Sequence, residues 1–322
     1  MRKIGILTSG GDAPGMNACI RAAVRISLSH KIEMIGIKWG FAGLIRGDME
    51  PLDRRVVTNI IHQGGTILGT ARCPEFQTEE GRALAIDILK RSGIEGLILI
   101  GGDGTFRGGT LLSKECDLSV IGVPGTIDND VFGTDYTIGF DTAINTALNA
   151  IDHIRDTATA HDRLFFVEVM GRHTGFIAME SGIAGGVEEL LIPEIPMSIE
   201  DLCLRLERNF RGGKKSAIVV VAETEQPGDS FRISKEIKDK AGFDSRDCIL
   251  GHIQRGGSPT ARDRVLASKL GAGAVRGLLE GKGGTMVGEI KGEIAYTLLK
   301  DTWEKKKRLH PDLENLAKIM SD

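Results

Sequence analysis

Six short runs of apolar, mostly β-branched or aliphatic residues constrain this chain more than any other feature. They are KIGIL (3–7), IEMIGI (32–37), LILI (97–100), SVIGV (119–123), LFFVEVM (164–170) and AIVVVA (217–222). Each is apolar nearly throughout, the pattern of parallel strands buried on both faces. Amphipathic stretches lie between them. One helix is predicted from about Gly15 to His30. A second covers 141–156, where Ile144, Leu148, Ile151 and Ile154 repeat at helical spacing. A third covers 260–280, opened near Pro259. Strand and helix in alternation give α/β layers joined by right-handed crossovers. At 322 residues the chain exceeds the usual single-domain range, so two domains are expected. Composition does not mark the boundary; a break near Gly139 suits the pattern.

Charge narrows the function. Lys plus Arg number 41 against 44 Asp plus Glu, a net −3, which argues against a nucleic-acid or membrane-surface protein. Work on anions must then come from local basic clusters. The basic run EKKKR (304–308) reads as a solvated helix face. Five scattered cysteines, with no C-x-x-C pair, read as reduced thiols in a cytoplasmic protein. No segment has the length of a membrane-spanning helix.

Two glycine turns follow apolar runs: TSGGDAPGMN (8–17) after KIGIL and GGDGT (101–105) after LILI. In an open parallel sheet, ligands sit beyond the carboxyl ends of strands. Backbone N–H groups and a helix N-terminus can face phosphates there. Neither turn is a Walker A loop or a G-x-G-x-x-G fingerprint. Asp103 stands where a phosphate would, which is unfavourable unless a cation mediates. Mg²⁺ held through one carboxylate plus nucleotide phosphates fits that chemistry.

A third turn, PGTIDNDVFGTD (124–135), ends SVIGV and places Asp128, Asp130 and Asp135 within eight positions. No lysine or arginine lies between Lys114 and Arg155 to neutralise them, and close carboxylates repel. A solvated Asx turn is the usual fate of such residues. An EF-hand is excluded, because counting from Asp128 puts Phe132 at position five and Gly139 at position twelve. Sharing a crevice with GGDGT, a carboxylate here could accept the proton of a substrate hydroxyl during phosphoryl transfer.

GGDGT and PGTIDND, followed by MGRHTG (170–175) and GHIQRGGSP (251–259), resemble the bacterial ATP-dependent 6-phosphofructokinase family; TSGGDAPGMN and GTARCPEF (69–76) agree. The match runs over nearly the whole chain and is weakest at 224–243 and beyond about Glu289. The resemblance implies two Rossmann-like three-layer α/β/α domains with mostly parallel sheets. The larger, ATP-binding one would comprise 1–139 plus 254–304, and the smaller, sugar-phosphate-binding one 140–253 plus 305–322.

It also implies roles. Gly11, Arg72, Cys73, Gly102, Asp103, Gly104 and Thr105 would line the ATP site, with Asp103 holding Mg²⁺. Asp128 would be the general base for the 1-hydroxyl of fructose 6-phosphate, supported by Thr126 and Asp130. Arg72 and Arg172 would neutralise charge on the transferring group. Thr126, Ile127, Met170, Gly171, Glu223, His252, Ile253, Gln254 and Arg255 would contact the sugar phosphate. Arg163 and Arg246 would reach it from a neighbouring subunit. In isolation, Arg72 and Arg172 would read as surface ion pairs and His252 as a core histidine. The motifs favour phosphate contacts, which suit a guanidinium fork.

Pyrophosphate-using relatives carry Asp after GGD and Lys after the proline of P-x-TIDND. Gly104 and Gly125 leave room for a nucleotide, so ATP is expected. Phe41 stands where relatives often place tyrosine beside the adenine. Arg21 and Arg25 share a helix face. The resemblance adds Arg54, Arg155, Gly186, Glu188, Lys214 and Lys215, an effector pocket for ADP or phosphoenolpyruvate between subunits of a homotetramer. The chain departs from that pattern at Asn59, Gly212 and Ser216. The rival readings are a pyrophosphate-dependent phosphofructokinase and a catalytically silent sugar-phosphate sensor.

Overall fold

The computed structural model describes residues 1–224 and 227–321. Glu225, Gln226 and Asp322, the last residue of the expected smaller domain, lie outside them. In chain order the first elements are β1 (Lys3–Thr8), α1 (Met16–Ser29), β2 (Glu33–Ile37), α2 (Gly40–Arg46), β3 (Met49–Pro51) and α3 (Glu79–Arg91). Then come β4 (Gly96–Gly101), α4 (Asp103–Glu115), β5 (Ser119–Pro124), α5 (Phe140–His161), β6 (Leu164–Val169) and α6 (Phe176–Gly185). β7 (Glu189–Leu191), α7 (Ile199–Arg211), β8 (Ala217–Ala222), α8 (Asp229–Ala241) and β9 (Ser245–Ile249) follow. α9 (Ala261–Leu279), β10 (Thr285–Ile290), β11 (Glu293–Leu298), α10 (Asp301–Glu304) and α11 (Pro311–Ser321) complete the chain.

Two compact units divide it: Met1–Thr142 with Arg255–Lys307, and Ala143–Gln254 with Arg308–Asp322. The first holds a sheet in the order β11-β10-β5-β4-β1-β2-β3. Pairing is parallel from β10 through β2 and antiparallel at both edges, β11 on β10 and β3 on β2. The second holds a wholly parallel sheet in the order β7-β8-β6-β9.

Each of the six apolar runs forms a strand. β4 and β8 are buried at every residue, which is why they show no polar alternation. Leu7, Leu97, Leu99, Val120, Phe106 and Leu112 form part of the first unit's core. Phe166, Val219, Val221, Leu202 and Leu206 do the same in the second. Each such side chain contributes about 1.5–3 kcal/mol on burial.

Asp263, at the start of α9, is 1% exposed and fastens the first turn of α5. It accepts the Gly139 and Thr142 amides at 2.9 and 2.8 Å and the Thr142 hydroxyl. Burial pushes its carboxyl up, against the pull of these donors. The anchor fixes the exit of the aspartate-rich loop.

The basic run 304–308 is not a solvated helix face. α10 stops at Glu304, and the Lys305 backbone is extended. The Lys305 ammonium lies 5.4 Å from the Phe132 ring centroid. The Lys307 ammonium donates to Asn129 Oδ1 at 2.8 Å and to the Asp135 carbonyl at 2.7 Å. Leaving the helix lets the chain lie along the loop, where a continued helix would carry these lysines away.

Candidate active site

The three turns singled out in the sequence converge in the first unit. Register aligns Thr8 with Ile100 and Ile100 with Val123, so β1, β4 and β5 end together. Backbone bonds then tie the turns. Ser9 N donates to Ile100 O at 3.0 Å, and Gly125 N to Gly101 O at 3.0 Å. The Thr105 hydroxyl donates to Ser9 O at 3.1 Å. A Cβ added at Gly102 would lie 4.0 Å from Thr126 Cβ, so GGDGT and TIDND are neighbours.

Arg72 and Cys73 belong to a segment pinned to the first glycine turn: the Thr70 hydroxyl donates to Gly10 O at 2.7 Å. Arg72 is exposed, and Cys73 packs partly against the core. Arg255 also reaches this turn. A Cβ added at Gly11 would meet its guanidinium at 2.6 Å, so the arginine head lies directly against this glycine. Arg255 Nη1 donates to the Asp12 carbonyl at 3.3 Å. Sequence reasoning placed Gly11 with the nucleotide and Arg255 with the sugar; the structure puts the two residues in contact.

Asp103 is the first residue of α4, so its carboxylate sits at a helix N-terminus. It lies 3.9 Å from Arg107, one turn on, and is 40% exposed. No group of three His, Cys, Asp or Glu residues that could hold a metal occurs among the described residues. One accessible carboxylate fits an ion held mainly by phosphates and water, as Mg²⁺ is on nucleotides.

Asp128 is 5% exposed. The Thr126 hydroxyl donates to its carboxylate at 3.3 Å and also faces its backbone N–H at 3.3 Å. The Thr126 carbonyl is held in turn by the Thr137 hydroxyl at 2.6 Å. Ile127 is fully buried and packs where a Cβ at Gly139 would go. Its side chain therefore serves the core, which leaves only its backbone for a ligand.

Two expectations about room for the nucleotide change. A Cβ at Gly104 meets nothing within 4 Å, but one at Gly125 would meet Ile100 Cγ2 at 2.8 Å and Met16 Cε at 3.1 Å. Gly125 is thus required by packing of β4 and α1. Phe41 is 6% exposed and stacks on Phe76 with centroids 4.0 Å apart. Its ring already has an aromatic partner, which the sequence did not reveal.

In the second unit, the carboxyl ends of β6, β8 and β9 gather the sugar-side candidates. Met170 is buried. Gly171 opens a turn closed by Thr174 N donating to Gly171 O at 3.0 Å. Arg172 is exposed with φ 61°, a left-handed conformation uncommon outside glycine. Glu223 follows β8, its N–H donating to Val169 O at 2.8 Å. His252 and Ile253 are exposed, whereas Gln254 is fully buried and donates to Gly251 O at 3.1 Å.

One residue organises these segments and carried no motif signal. Glu168, in β6, is fully buried. Its carboxylate accepts the Gly228 and Ser230 amides at 2.7 and 2.8 Å, fixing the start of α8. Its backbone carbonyl accepts Leu250 N at 3.0 Å. Nearby, burial raises the Asp247 carboxyl against the pull of Ser234, and the charge of Glu168 adds to the rise. An acidic residue inside an apolar strand was the available clue.

Arg163 and Arg246 stand apart from this group. Arg163 directly precedes β6, and Arg246 pairs with Phe165 at the amino end of that strand. Six strand residues, Leu164–Val169, separate Arg163 from Met170, about 20 Å at strand rise, and Arg246 lies beside the second of them.

Comparison with known proteins agrees with the motifs. The phosphofructokinase family model matches residues 3–278. The chain is 56% identical over 321 residues to an ATP-dependent 6-phosphofructokinase 1 of Thermus thermophilus, covering all of both chains. It is 53% identical over 321 residues to an ATP-dependent 6-phosphofructokinase of Bacillus pumilus, again full length. Among solved structures, phosphofructokinase from Saccharomyces cerevisiae superposes with TM-score 0.89 at 33% identity, over 100% of this chain and 48% of that one. A pyrophosphate-dependent phosphofructokinase from Marinobacter aquaeolei gives 0.86 at 22% identity, over 99% and 91%, a likeness of fold alone. Convergent turns at the ends of β1, β4 and β5, carried on a sequence with full-length relatives of one kind, place this chain in the phosphofructokinase family.

Proposed function

We infer that this chain is an ATP-dependent 6-phosphofructokinase, transferring the γ-phosphoryl group of ATP to the 1-hydroxyl of fructose 6-phosphate in glycolysis. The observation that carries the reading is the pairing of Asp103 and Asp128 at the carboxyl ends of adjacent strands, in turns joined by the Gly125–Gly101 bond. Full-length relatives named for this activity support it.

Asp128 takes the proton of the 1-hydroxyl as that oxygen bonds to the γ-phosphorus. The bond from phosphorus to the β–γ bridging oxygen breaks, and ADP leaves with the electron pair. Low exposure keeps water from competing for Asp128, and Thr126 orients it. Asp103 would hold Mg²⁺, which neutralises charge on the β- and γ-phosphates when bound. Gly11, Gly102, Gly104 and Thr105 line the nucleotide's path, with Arg72 and Cys73 beside it. Arg72 and Arg172 offset charge on the transferring group. Met170, Gly171, Glu223, His252 and Arg255 hold the sugar phosphate, with Ile127, Ile253 and Gln254 in the turns that frame it.

Arg163 and Arg246 complete the sugar site of a neighbouring chain; their place at the opposite strand ends supports that assignment. Shared sites imply a homotetramer with two-fold symmetry. Effector binding draws support from the second unit. Glu188, 8% exposed, lies 3.5 Å from Arg155 and 3.7 Å from Lys214. Arg155 also donates to the carbonyls of Gly185 and Gly186 at 2.8 Å. Two cations around one carboxylate suit Mg-ADP or phosphoenolpyruvate, with Arg21, Arg25, Arg54 and Lys215 adding charge. We place the enzyme in the cytoplasm. No helix among the described residues is long and apolar enough to cross a membrane.

The test is fructose 1,6-bisphosphate formation from fructose 6-phosphate and Mg²⁺, with ATP or pyrophosphate as donor. Turnover with ATP and little with pyrophosphate is expected. A preference for pyrophosphate would overturn the donor assignment, and silence with both would favour a sugar-phosphate sensor.

Glu168→Gln tests the sugar side. It turns one amide-facing oxygen into a donor opposite an N–H, at a cost of about 1–3 kcal/mol. The expected result is a lower melting temperature and a raised KM for fructose 6-phosphate, with KM for ATP unchanged. An unchanged sugar KM would show that Glu168 serves folding alone.

A further inference from the structure

The aspartate loop lacks a nearby cation in sequence, yet the fold supplies one from 178 positions away. Lys307 donates to Asn129 Oδ1 at 2.8 Å and to the Asp135 carbonyl at 2.7 Å. Asn129 stands between Asp128 and Asp130. It is 3% exposed and has φ 53°, in the left-handed region, which asparagine tolerates better than most residues. Its amide is used on both sides. Oδ1 also accepts the Thr137 N–H at 3.0 Å, and Nδ2 donates to the Asp135 carbonyl at 3.3 Å. Lys307 and Asn129 thus close the loop 129–137 around a shared carbonyl.

The surroundings hold the closure in place. Asp135 N donates to Glu289 O at 2.7 Å, and Lys291 N to the Asp135 carboxylate at 2.6 Å. Phe132 N donates to Thr302 O at 3.4 Å. Every one of these braces comes from β10, the β10–β11 turn, α10 or the segment after it, beyond the residues that the family model matches.

We propose that Lys307, acting through Asn129, is a positioning residue for Asp128, setting the backbone from which the base reaches the substrate hydroxyl. The side-chain bridge constrains the peptide on the C-terminal side of Asp128, while Thr126 constrains the N-terminal side. Its ammonium brings one positive charge to the loop that carries Asp128, Asp130 and Asp135. The proposal rests on Asp128 as the base.

The experiment compares full-length Lys307→Met and Asn129→Gly, singly and together, with Lys306→Met as a control of equal charge change in the same run. Glycine at 129 keeps the left-handed backbone accessible and removes the side-chain bonds to Lys307, to the Thr137 amide and to the Asp135 carbonyl. Steady-state kcat, both KM values and the melting temperature are read. A misplaced base lowers kcat roughly ten- to hundredfold with both KM values held, and the double variant is no worse than Asn129→Gly alone. Lys306→Met keeps full activity. The proposal is overturned if Lys307→Met loses stability but keeps kcat, if the two losses multiply, or if Lys306→Met falls equally. Should Lys307→Met fail to fold, kcat of Asn129→Gly decides. Asp128→Asn, assayed alongside, separates the two assignments: if it abolishes turnover while Lys307→Met does not reduce it, the base stands and this proposal falls.

Discussion

Asp128→Asn lowers turnover with ATP by about 10²–10⁴-fold, the usual worth of a positioned general base, and leaves fructose 6-phosphate affinity within a few-fold. Asparagine matches aspartate in shape but cannot accept the hydroxyl proton. At 5% exposure the site admits little water to act in its place. The Thr126 hydroxyl can still donate to the amide oxygen, so the loop is expected to keep its form. Measured kcat, KM and equilibrium binding of the sugar phosphate check the result. Turnover equal to that of the parent enzyme would remove Asp128 from the role of base.

Gly104→Asp produces the second large effect, a fall of about a hundredfold or more in kcat/KM for ATP. A carboxylate facing the nucleotide phosphates places like charges together, which costs several kcal/mol, and each 1.4 kcal/mol is tenfold. The structure makes this a clean experiment. Nothing lies within 4 Å of a Cβ at this position, and an acidic residue in the first turn of α4 suits the helix dipole. Melting temperature should hold, so lost activity reports the ligand. Gly125→Lys gives no such clarity, because its Cβ would press on Ile100 and Met16. Full activity with ATP in the Gly104 variant would mean that this glycine does not set donor choice.

The sequence made six parallel strands and the turns beyond them legible, because burial on both faces leaves an unmistakable apolar run; the parallel edge strands β7 and β9 left none and went unread. LILI and AIVVVA are the clear cases, each wholly buried. β10 and β11 were harder to see. Their antiparallel pairing leaves intermediate burial from Ile294 through Thr297, and no continuous run marks them. GGDGT and TIDND could be read as turns with chemistry because glycine and aspartate have few other uses at strand ends, whereas MGRHTG drew its role from the family resemblance alone. Glu168 and Lys307 could not. One acts from inside a strand, the other from a basic run that resembles any exposed helix, and both depend on partners brought close only by folding. Packing likewise decided Gly125 and Phe41, whose neighbours are set by tertiary contact.

The placement of Arg163 and Arg246 at the amino ends of their strands has a consequence for how the enzyme works in a dilute solution. If those arginines serve a neighbour, a solitary chain owns no finished pocket, and each polypeptide contributes parts to two. The smallest working unit is then a pair of chains. Specific activity becomes a function of protein concentration, and a defect inherited in one copy is felt in the catalysis of another.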